Sequence, residues 1–175
     1  MAPVAAGSGL VLGIGNVLRG DDGIGWRLAE GLAGRPDGEL VVKAVHQLTP
    51  ELAAELTAVR RVLFIDAWRP PEQMAAPRPR LLSLNQAIPS SAAGLMVSHQ
   101  LDPAALLGLT ELLYGRAPLA MVLLVPVWHC GHGSELSVPL LAQLPRAQHL
   151  LLQWLQHVPG EGWQNSRADV AVGGA

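Results

Sequence analysis

The sequence is poor in the features that mark several large classes of protein. It has a single cysteine, Cys130, so no disulfide can form within the chain, and the composition fits a reducing compartment. Charged residues make up 15% of the chain and the formal net charge is -2, which gives no electrostatic basis for binding nucleic acid or an anionic membrane. No apolar run approaches the ~20 residues that cross a bilayer, and we find no secretion signal. We therefore expect a cytoplasmic protein that binds neither nucleic acid nor membranes.

Aromatic residues are also scarce, at 4%, whereas hydrophobic residues reach 50% of the chain. A core built from this composition is mostly aliphatic, and 175 residues are the usual size of one domain. We predict a single domain over residues 1–158. Glycine and alanine accumulate after Val158, and we predict a disordered tail over residues 159–175.

Short apolar runs alternate with helical patterns along the chain, and the first run covers residues 9–14. The other runs are "ELVVKAV", "RRVLFIDA", "LAMVLLVPV" and a short edge candidate, "LLSL". Helical patterns follow near Asp22, Pro50, Asp102 and Pro145. Because the longer runs are apolar on both faces, they predict a sheet covered by helices on each side. We predict an α/β fold, a three-layer αβα sandwich with a twisted, mostly parallel sheet of about five strands.

The segment "GIGNVLRGDDGIG", residues 13–25, lies between the first strand and the first helix, as a nucleotide-binding turn would. Gly13 and Gly15 fit the dinucleotide pattern, but Leu18 stands where the third glycine belongs. The two aspartates that follow would repel a pyrophosphate. A nucleotide-binding α/β enzyme therefore stays only as an alternative interpretation.

Asp21 and Asp22 stand together just before the first predicted helix, and we expect one of them to cap it. The alternative is that these aspartates coordinate a metal ion, which requires further ligands. Asp66 ends an otherwise apolar strand, and His99 stands just before a helix. Sites in parallel sheets lie beyond the carboxyl ends of the strands, so the loop and Asp66 could be neighbours. Two carboxylates and one imidazole suit nickel or zinc.

These residues together resemble a known family, the hydrogenase maturation proteases. The similarity runs through "GIGNVLRGDDGIGWRLAE", "VLFIDA", "SHQLDPAALL" and "GHGSELSVPLLAQLPRAQHLLLQWL", in the family's order, over residues 10–157. The resemblance implies a mixed sheet and places the metal-recognising and catalytic positions on Asp22, Asp66 and His99. From the residues themselves, we expect Gly13 and Gly15 to let the backbone turn sharply, and Asn16 either to fix the loop's shape through hydrogen bonds or to act as a simple turn former.

The resemblance implies an endopeptidase that removes the C-terminal extension of a nickel–iron hydrogenase large-subunit precursor. The nickel is presented by the substrate, and no tightly bound cofactor of the enzyme's own is expected. Nickel would act as a recognition signal or as a catalyst, and either Asp22 or Asp66 would act as general base. The enzyme is expected to be a monomer. A non-catalytic nickel-binding chaperone that uses the same ligands is the second alternative.

The sequence "HCGHG" offers a competing site, because it groups His129, Cys130 and His132 in one loop. Such a group could be a cysteine nucleophile with its base, or part of a structural zinc site. It lacks a second pair of cysteines, and its three residues crowd a short segment. We therefore predict that it does not join the cluster of Asp22 and Asp66.

Overall fold

The computed structural model describes residues 9–33, 40–84 and 101–156. Within these ranges five strands form one sheet in the order β2-β1-β3-β5-β4. Strands β1, β2, β3 and β5 are parallel, and the edge strand β4 is antiparallel to β5. The mixed, mostly parallel sheet predicted from the sequence is therefore confirmed. The strands are β1 (Gly9–Ile14), β2 (Leu40–Val45), β3 (Arg61–Trp68), β4 (Arg80–Ser83) and β5 (Leu119–Pro126).

Helices connect these strands and cover both faces of the sheet. A 3-10 helix over Gly20–Gly23 leads directly into the first α-helix. The Asp102 carboxylate caps α3 by accepting a hydrogen bond from the Ala105 N–H at 2.7 Å. The helix α4 (Val138–Leu141) has no counterpart among the helical patterns predicted from the sequence. The α-helices are α1 (Ile24–Glu30), α2 (Leu52–Leu56), α3 (Pro103–Tyr114), α4 (Val138–Leu141) and α5 (Leu144–Gln156).

Two apolar cores lie on opposite faces of the sheet, because successive side chains of a strand point to opposite sides. On one face, Phe64 and Trp68 of β3 pack in a cluster with residues of α2 and α3. On the other face, Leu63 and Ile65 pack in a cluster with residues of α1 and α5. The layers are therefore helix, sheet and helix, as the sequence predicts.

In the ranges that the structure describes, no helix is both long enough and apolar enough to span a bilayer. His99 and the predicted tail over residues 159–175 lie outside the described residues. The division of the chain at residue 158 therefore stays a prediction.

Candidate functional site

Asp22 and Asp66 come to the same edge of the sheet. Strands β1 and β3 are parallel neighbours, so their carboxyl ends meet at one edge. Asp66 lies near the end of β3, and Asp22 lies in the 3-10 helix that follows β1. Both side chains are half-buried. They are close enough for the charge on Asp22 to raise the pKa of Asp66.

The two carboxylates reach this edge from opposite faces of the sheet. By the alternation of β3, Asp66 shares the face of Phe64 and Trp68, which α2 and α3 cover. Asp22 precedes α1, which covers the opposite face. Leu101, in the segment that enters α3, packs against the cluster on the Asp66 side. The start of α3 therefore lies over the face that carries Asp66.

Gly25 allows α1 to begin directly against the ends of two strands. A Cβ atom added at Gly25 would lie 2.3 Å from the carbonyl oxygens of both Ile14 and Ile65. Side-chain carbons do not approach oxygen so closely, so only glycine fits without moving the helix. Ile65 immediately precedes Asp66, so this close contact also holds the start of α1 beside Asp66.

Gly15 explains why the loop is not a dinucleotide turn. It has a φ of 141°, and a Cβ atom there would lie 1.9 Å from the Asp22 carbonyl oxygen. In a dinucleotide turn the missing side chain makes room for a pyrophosphate. Here the same space is filled by the protein's own backbone. The nucleotide-binding interpretation is therefore not supported.

Asn16 links the loop to the Asp22 carboxylate. Its side-chain Oδ1 accepts a hydrogen bond from the Leu18 N–H at 2.9 Å, which is a local turn of the Asx type. Its own backbone N–H donates to Asp22 Oδ2 at 3.2 Å. Asn16 therefore fixes both the shape of the loop and the position of one carboxylate oxygen.

Asp21 has a different role from the one that the sequence suggests. Neither Asp21 nor Asp22 caps α1, whose N-cap is Gly23 with no side-chain hydrogen bond, so the capping prediction is wrong. Instead the fully buried Asp21 carboxylate accepts hydrogen bonds from the backbone N–H groups of Trp128, His129 and Ser137 and from the Ser137 hydroxyl. Asp21 has this role because the loop after β5 lies against the 3-10 helix and supplies these donors.

These four hydrogen bonds outweigh the cost of burying the Asp21 charge. Burial alone raises the pKa of Asp21, but the donors from Ser137, His129 and Trp128 lower it further, and the net pKa falls below the usual value. The Asp21 N–H also donates to the His129 carbonyl at 2.9 Å. Asp21 therefore ties the segment over 127–137 to the loop that carries Asp22.

Asp66 has the opposite electrostatic character. Burial raises the pKa of Asp66, the Ala67 N–H lowers it through a hydrogen bond to Asp66 Oδ1 at 2.8 Å, and the nearby Asp22 charge raises it, so that the pKa is about 7. Carboxylic acids with a pKa near neutrality can take up and release a proton at working pH. Asp66 is therefore suited to proton transfer, whereas Asp21 is fully ionised at neutral pH.

The "HCGHG" loop approaches the site through Cys130 alone. The Arg69 side chain hydrogen-bonds the Cys130 thiol, and the Asp22 charge also acts on it. Burial is the largest effect and raises the pKa of Cys130, so the thiolate is disfavoured. His129 and His132 are exposed and line a separate cavity of about 470 Å³ with Gly20, Glu135 and Ser137.

No three His, Cys, Asp or Glu side chains are arranged to hold a metal ion in the part of the chain that the structure describes. Asp22 and Asp66 supply two carboxylates, and the third predicted residue, His99, is outside the described residues. The convergence of all three therefore stays a prediction.

Sequence reasoning missed Asp21 and Ser137 as the residues that join the two loops. Ser137 precedes "VPLL", and a serine before Val-Pro is a recognisable signal for a helix N-terminus. Its hydroxyl does accept from the Leu140 N–H at 3.4 Å. The pairing with Asp21 spans 116 residues of chain, and no local pattern encodes it.

The sheet order and its two helical layers define an α/β domain with the fold of the hydrogenase maturation proteases, as three solved structures show. The hydrogenase maturating endopeptidase HybD from E. coli is 22% identical, with a TM-score of 0.64, over 85% of this chain and 91% of that one. The [NiFe] hydrogenase maturation protease HybD from Thermococcus kodakarensis is 20% identical, with a TM-score of 0.61, over 84% and 98%. The [NiFe] hydrogenase maturation protease HycI from the same organism is 18% identical, with a TM-score of 0.61, over 86% and 93%.

At these identities the comparison establishes the fold, and the fold implied by the sequence motifs is confirmed. No protein-family model matches the chain. No curated protein sequence matches it significantly.

Proposed function

We propose that this protein is a cytoplasmic endopeptidase that removes the C-terminal extension of a nickel-loaded nickel–iron hydrogenase large-subunit precursor. The observation that carries the proposal is the meeting of Asp22 and Asp66 at one edge of the sheet, with the pKa of Asp66 raised to about 7. The three structures compared above are named as hydrogenase maturation proteases or endopeptidases and share the fold that builds this edge.

In the proposed reaction the Asp66 carboxylate accepts the proton of the attacking water. In the metal-free site its pKa of about 7 leaves it half ionised at neutral pH, and the positive charge of the substrate's nickel would favour the ionised form further. The protonated carboxyl group then donates to the leaving amine when the peptide bond breaks. Burial is the main cause of the raised pKa of Asp66, and the nearby Asp22 charge adds to it. Two carboxylates with separate protonation behaviour are the basis of aspartyl-type peptide hydrolysis.

Nickel enters as part of the substrate. Asp22, Asp66 and His99 would bind the ion that the precursor presents, and together they supply oxygen and nitrogen ligands that nickel accepts. A precursor without nickel lacks this contact and binds more weakly, so the metal acts as a checkpoint. When bound, the ion also supplies positive charge near the carbonyl that is attacked.

The test uses purified precursor, with and without nickel, mixed with the wild-type protein and its variants. The expected result is cleavage of the nickel-loaded precursor only, with loss of cleavage in D66N and H99A. Equal cleavage of nickel-free precursor would remove the checkpoint role. Nickel binding without any cleavage would instead favour the chaperone alternative, and size-exclusion chromatography of the same samples tests the expected monomer.

A further inference from the structure

Arg80 lies on the same face of the sheet as Asp66 and in the same row of residues across the strands. Leu124 of β5 pairs with Asp66 of β3 on one side and with Arg80 of β4 on the other. Side chains paired in this way point to the same face, and Leu124 packs in the core cluster of the Asp66 face. Two strand spacings, about 10 Å, therefore separate the backbones of Asp66 and Arg80.

Trp68 holds the Arg80 side chain near the carboxyl edge of the sheet. Trp68 follows Asp66 by two residues in β3, so the two share a face. The Arg80 guanidinium carbon lies 5.3 Å from the centroid of the Trp68 ring, which is a cation–π distance. Because β5 separates their strands, the two side chains meet above β5. Arg80 Nη2 also donates to the Met74 sulfur at 3.7 Å, so two contacts fix the guanidinium on the Asp66 side of the edge.

Neither contact neutralises the charge of Arg80. An indole ring and a thioether sulfur are weak partners for a guanidinium, which presents five N–H donors. The Arg80 side chain is exposed, and within the described ranges only Lys43 and Glu55 form an ion pair. The buried Trp68 Nε1 likewise has no acceptor among the residues that the structure describes. A fixed cation and an unused N–H donor therefore lie together beside Asp66.

The partner that both groups lack is an oxygen acceptor, and the charge of Arg80 favours a carboxylate. A guanidinium binds a carboxylate through two parallel N–H···O bonds, and such bonds are about twice as strong as neutral ones. A freely solvated arginine would need no partner, but Trp68 and Met74 already restrict this side chain, so less entropy is lost when a ligand binds. Three residues of extended peptide span about 10 Å, so a chain that is cut at Asp66 reaches Arg80 within a few residues.

We infer that Arg80 is a substrate-binding residue that holds a carboxylate group of the precursor's C-terminal segment, a few residues from the bond that is cut. This inference rests on the proposed function, since it assigns a further contact to the same substrate. Trp68 positions the guanidinium, and Arg80 supplies affinity and orientation. The carboxylate belongs either to an acidic side chain or to the chain terminus of the extension, and the experiment separates these two sources.

Arg60 offers a matched control. It immediately precedes β3, so it lies at the amino edge of the sheet, opposite to the edge that carries Asp66. Its side chain is exposed, as is that of Arg80. R80Q and R60Q therefore change the net charge of the protein equally and differ in the edge of the sheet at which the charge is lost.

The experiment measures kcat and KM for nickel-loaded precursor with the wild-type protein, R80Q, R80K and R60Q, at low and at high salt. At low salt we expect KM to rise about fivefold in R80Q with kcat within about twofold, R80K to recover part of the loss, and R60Q to stay within about twofold of wild type. Raising the salt should increase KM more for the wild-type protein and R60Q than for R80Q, because screening weakens a contact between charges. Urea denaturation of each variant checks that folding is retained.

Two variants of the precursor identify the carboxylate. In one, the acidic side chains near the cut are changed to amides, and in the other the terminal carboxylate is amidated. The variant that lacks the bound carboxylate should raise KM about fivefold with the wild-type protein and change it little with R80Q, because the two losses remove the same contact.

Four outcomes would overturn the inference while leaving the proposed function intact. These are a wild-type KM in R80Q, an equal loss in R60Q, a loss in R80Q confined to kcat, and a wild-type KM that neither precursor variant changes. Failure of the wild-type protein to cleave the nickel-loaded precursor would instead overturn the proposed function, and the Arg80 contact with it.

Discussion

Ser137 donates two hydrogen bonds to the Asp21 carboxylate, one from its backbone N–H and one from its hydroxyl, both at 2.7 Å. The pair connects the loop after β1 to the loop after β5. Asp21 stands next to Asp22 in the chain, yet its role is structural. The neighbouring aspartates therefore have different roles, since Asp21 holds the two loops together and the charge of Asp22 acts on Asp66.

Replacing Asp21 by Ala should destabilise the protein strongly. Four donors would lose their acceptor, and each buried hydrogen bond to a charged group contributes about 1 kcal/mol or more. We expect the free energy of unfolding, measured by urea denaturation, to fall by about 3 kcal/mol or more. D22N is the control, with an expected change within about 1 kcal/mol, because Asp22 is half-buried and accepts one bond at 3.2 Å. Similar losses in both variants would contradict this assignment.

Asp21 should also make the fold sensitive to acid. Its hydrogen bonds hold the pKa below the usual value of 3.8 in the folded protein. The stabilisation is therefore present above pH 3.8 and is lost as the pH falls through the lowered folded pKa. We expect the stability difference between wild type and D21N to shrink as the pH falls below about 4. A difference that stays constant down to pH 2 would show that the charge of Asp21 is not what stabilises the loops.

Asp66 should give the opposite dependence on pH. Its folded pKa, about 7, lies above the ordinary value of 3.8, so its stabilising contribution is complete below pH 3.8 and is lost as the pH rises through about 7. D66N stays neutral, so it should become more stable than wild type by about 1 kcal/mol or more at pH 8. Urea denaturation at pH 4 and pH 8 measures this, and D66N should lose cleavage.

D22N provides the internal check on that prediction. Removing the Asp22 charge should shift the pH midpoint of the Asp66 effect downward, because this charge contributes to the raised pKa. An unchanged midpoint would mean that the two carboxylates do not interact, and the central observation behind the proposed function would be lost.

Gly25→Ala should disrupt the site through the backbone. The new Cβ atom would overlap the carbonyl oxygens of Ile14 and Ile65, so α1 must move away from the sheet. We expect a loss of about 2–4 kcal/mol in the free energy of unfolding, and cleavage should fall with it. Gly108→Ala is the control, because nothing lies within 4 Å of its added Cβ in α3. That helical substitution should be neutral or stabilise by up to about 1 kcal/mol.

Cys130→Ser should leave cleavage of the precursor within about twofold of wild type. Burial raises the pKa of Cys130, so little thiolate is present at neutral pH, and the thiol has no step in the proposed reaction. The rate of alkylation by iodoacetamide at pH 7 tests the same point, and we expect the wild-type thiol to react slowly. Loss of cleavage in this variant, with folding retained, would transfer the reaction to a cysteine nucleophile.

Much of the fold could be predicted from the sequence because its determinants are local. The apolar run over 9–14 appears as β1 with those bounds, Asp102 and Pro103 begin α3, and "LLSL" contributes to the antiparallel edge strand β4. Continuous apolar runs, capping residues and prolines determine the structure of only the few residues around them. The position of Asp66 at the end of β3, and its closeness to the loop after β1, also follow from the rule for parallel strands.

Only the tertiary structure decided what the two adjacent aspartates do. The chemistry of the residues does not distinguish Asp21 from Asp22 as candidates for capping or for metal binding, and only the family resemblance singles out Asp22. The loop after β5 brings the donors of Trp128, His129 and Ser137 to the Asp21 carboxylate, whereas the Asp22 carboxylate lies close enough to Asp66 for its charge to raise the pKa of Asp66. Such contacts join residues more than a hundred positions apart, and the burial that sets the pKa of each carboxyl group exists only once the sheet, its helices and the loop have packed together.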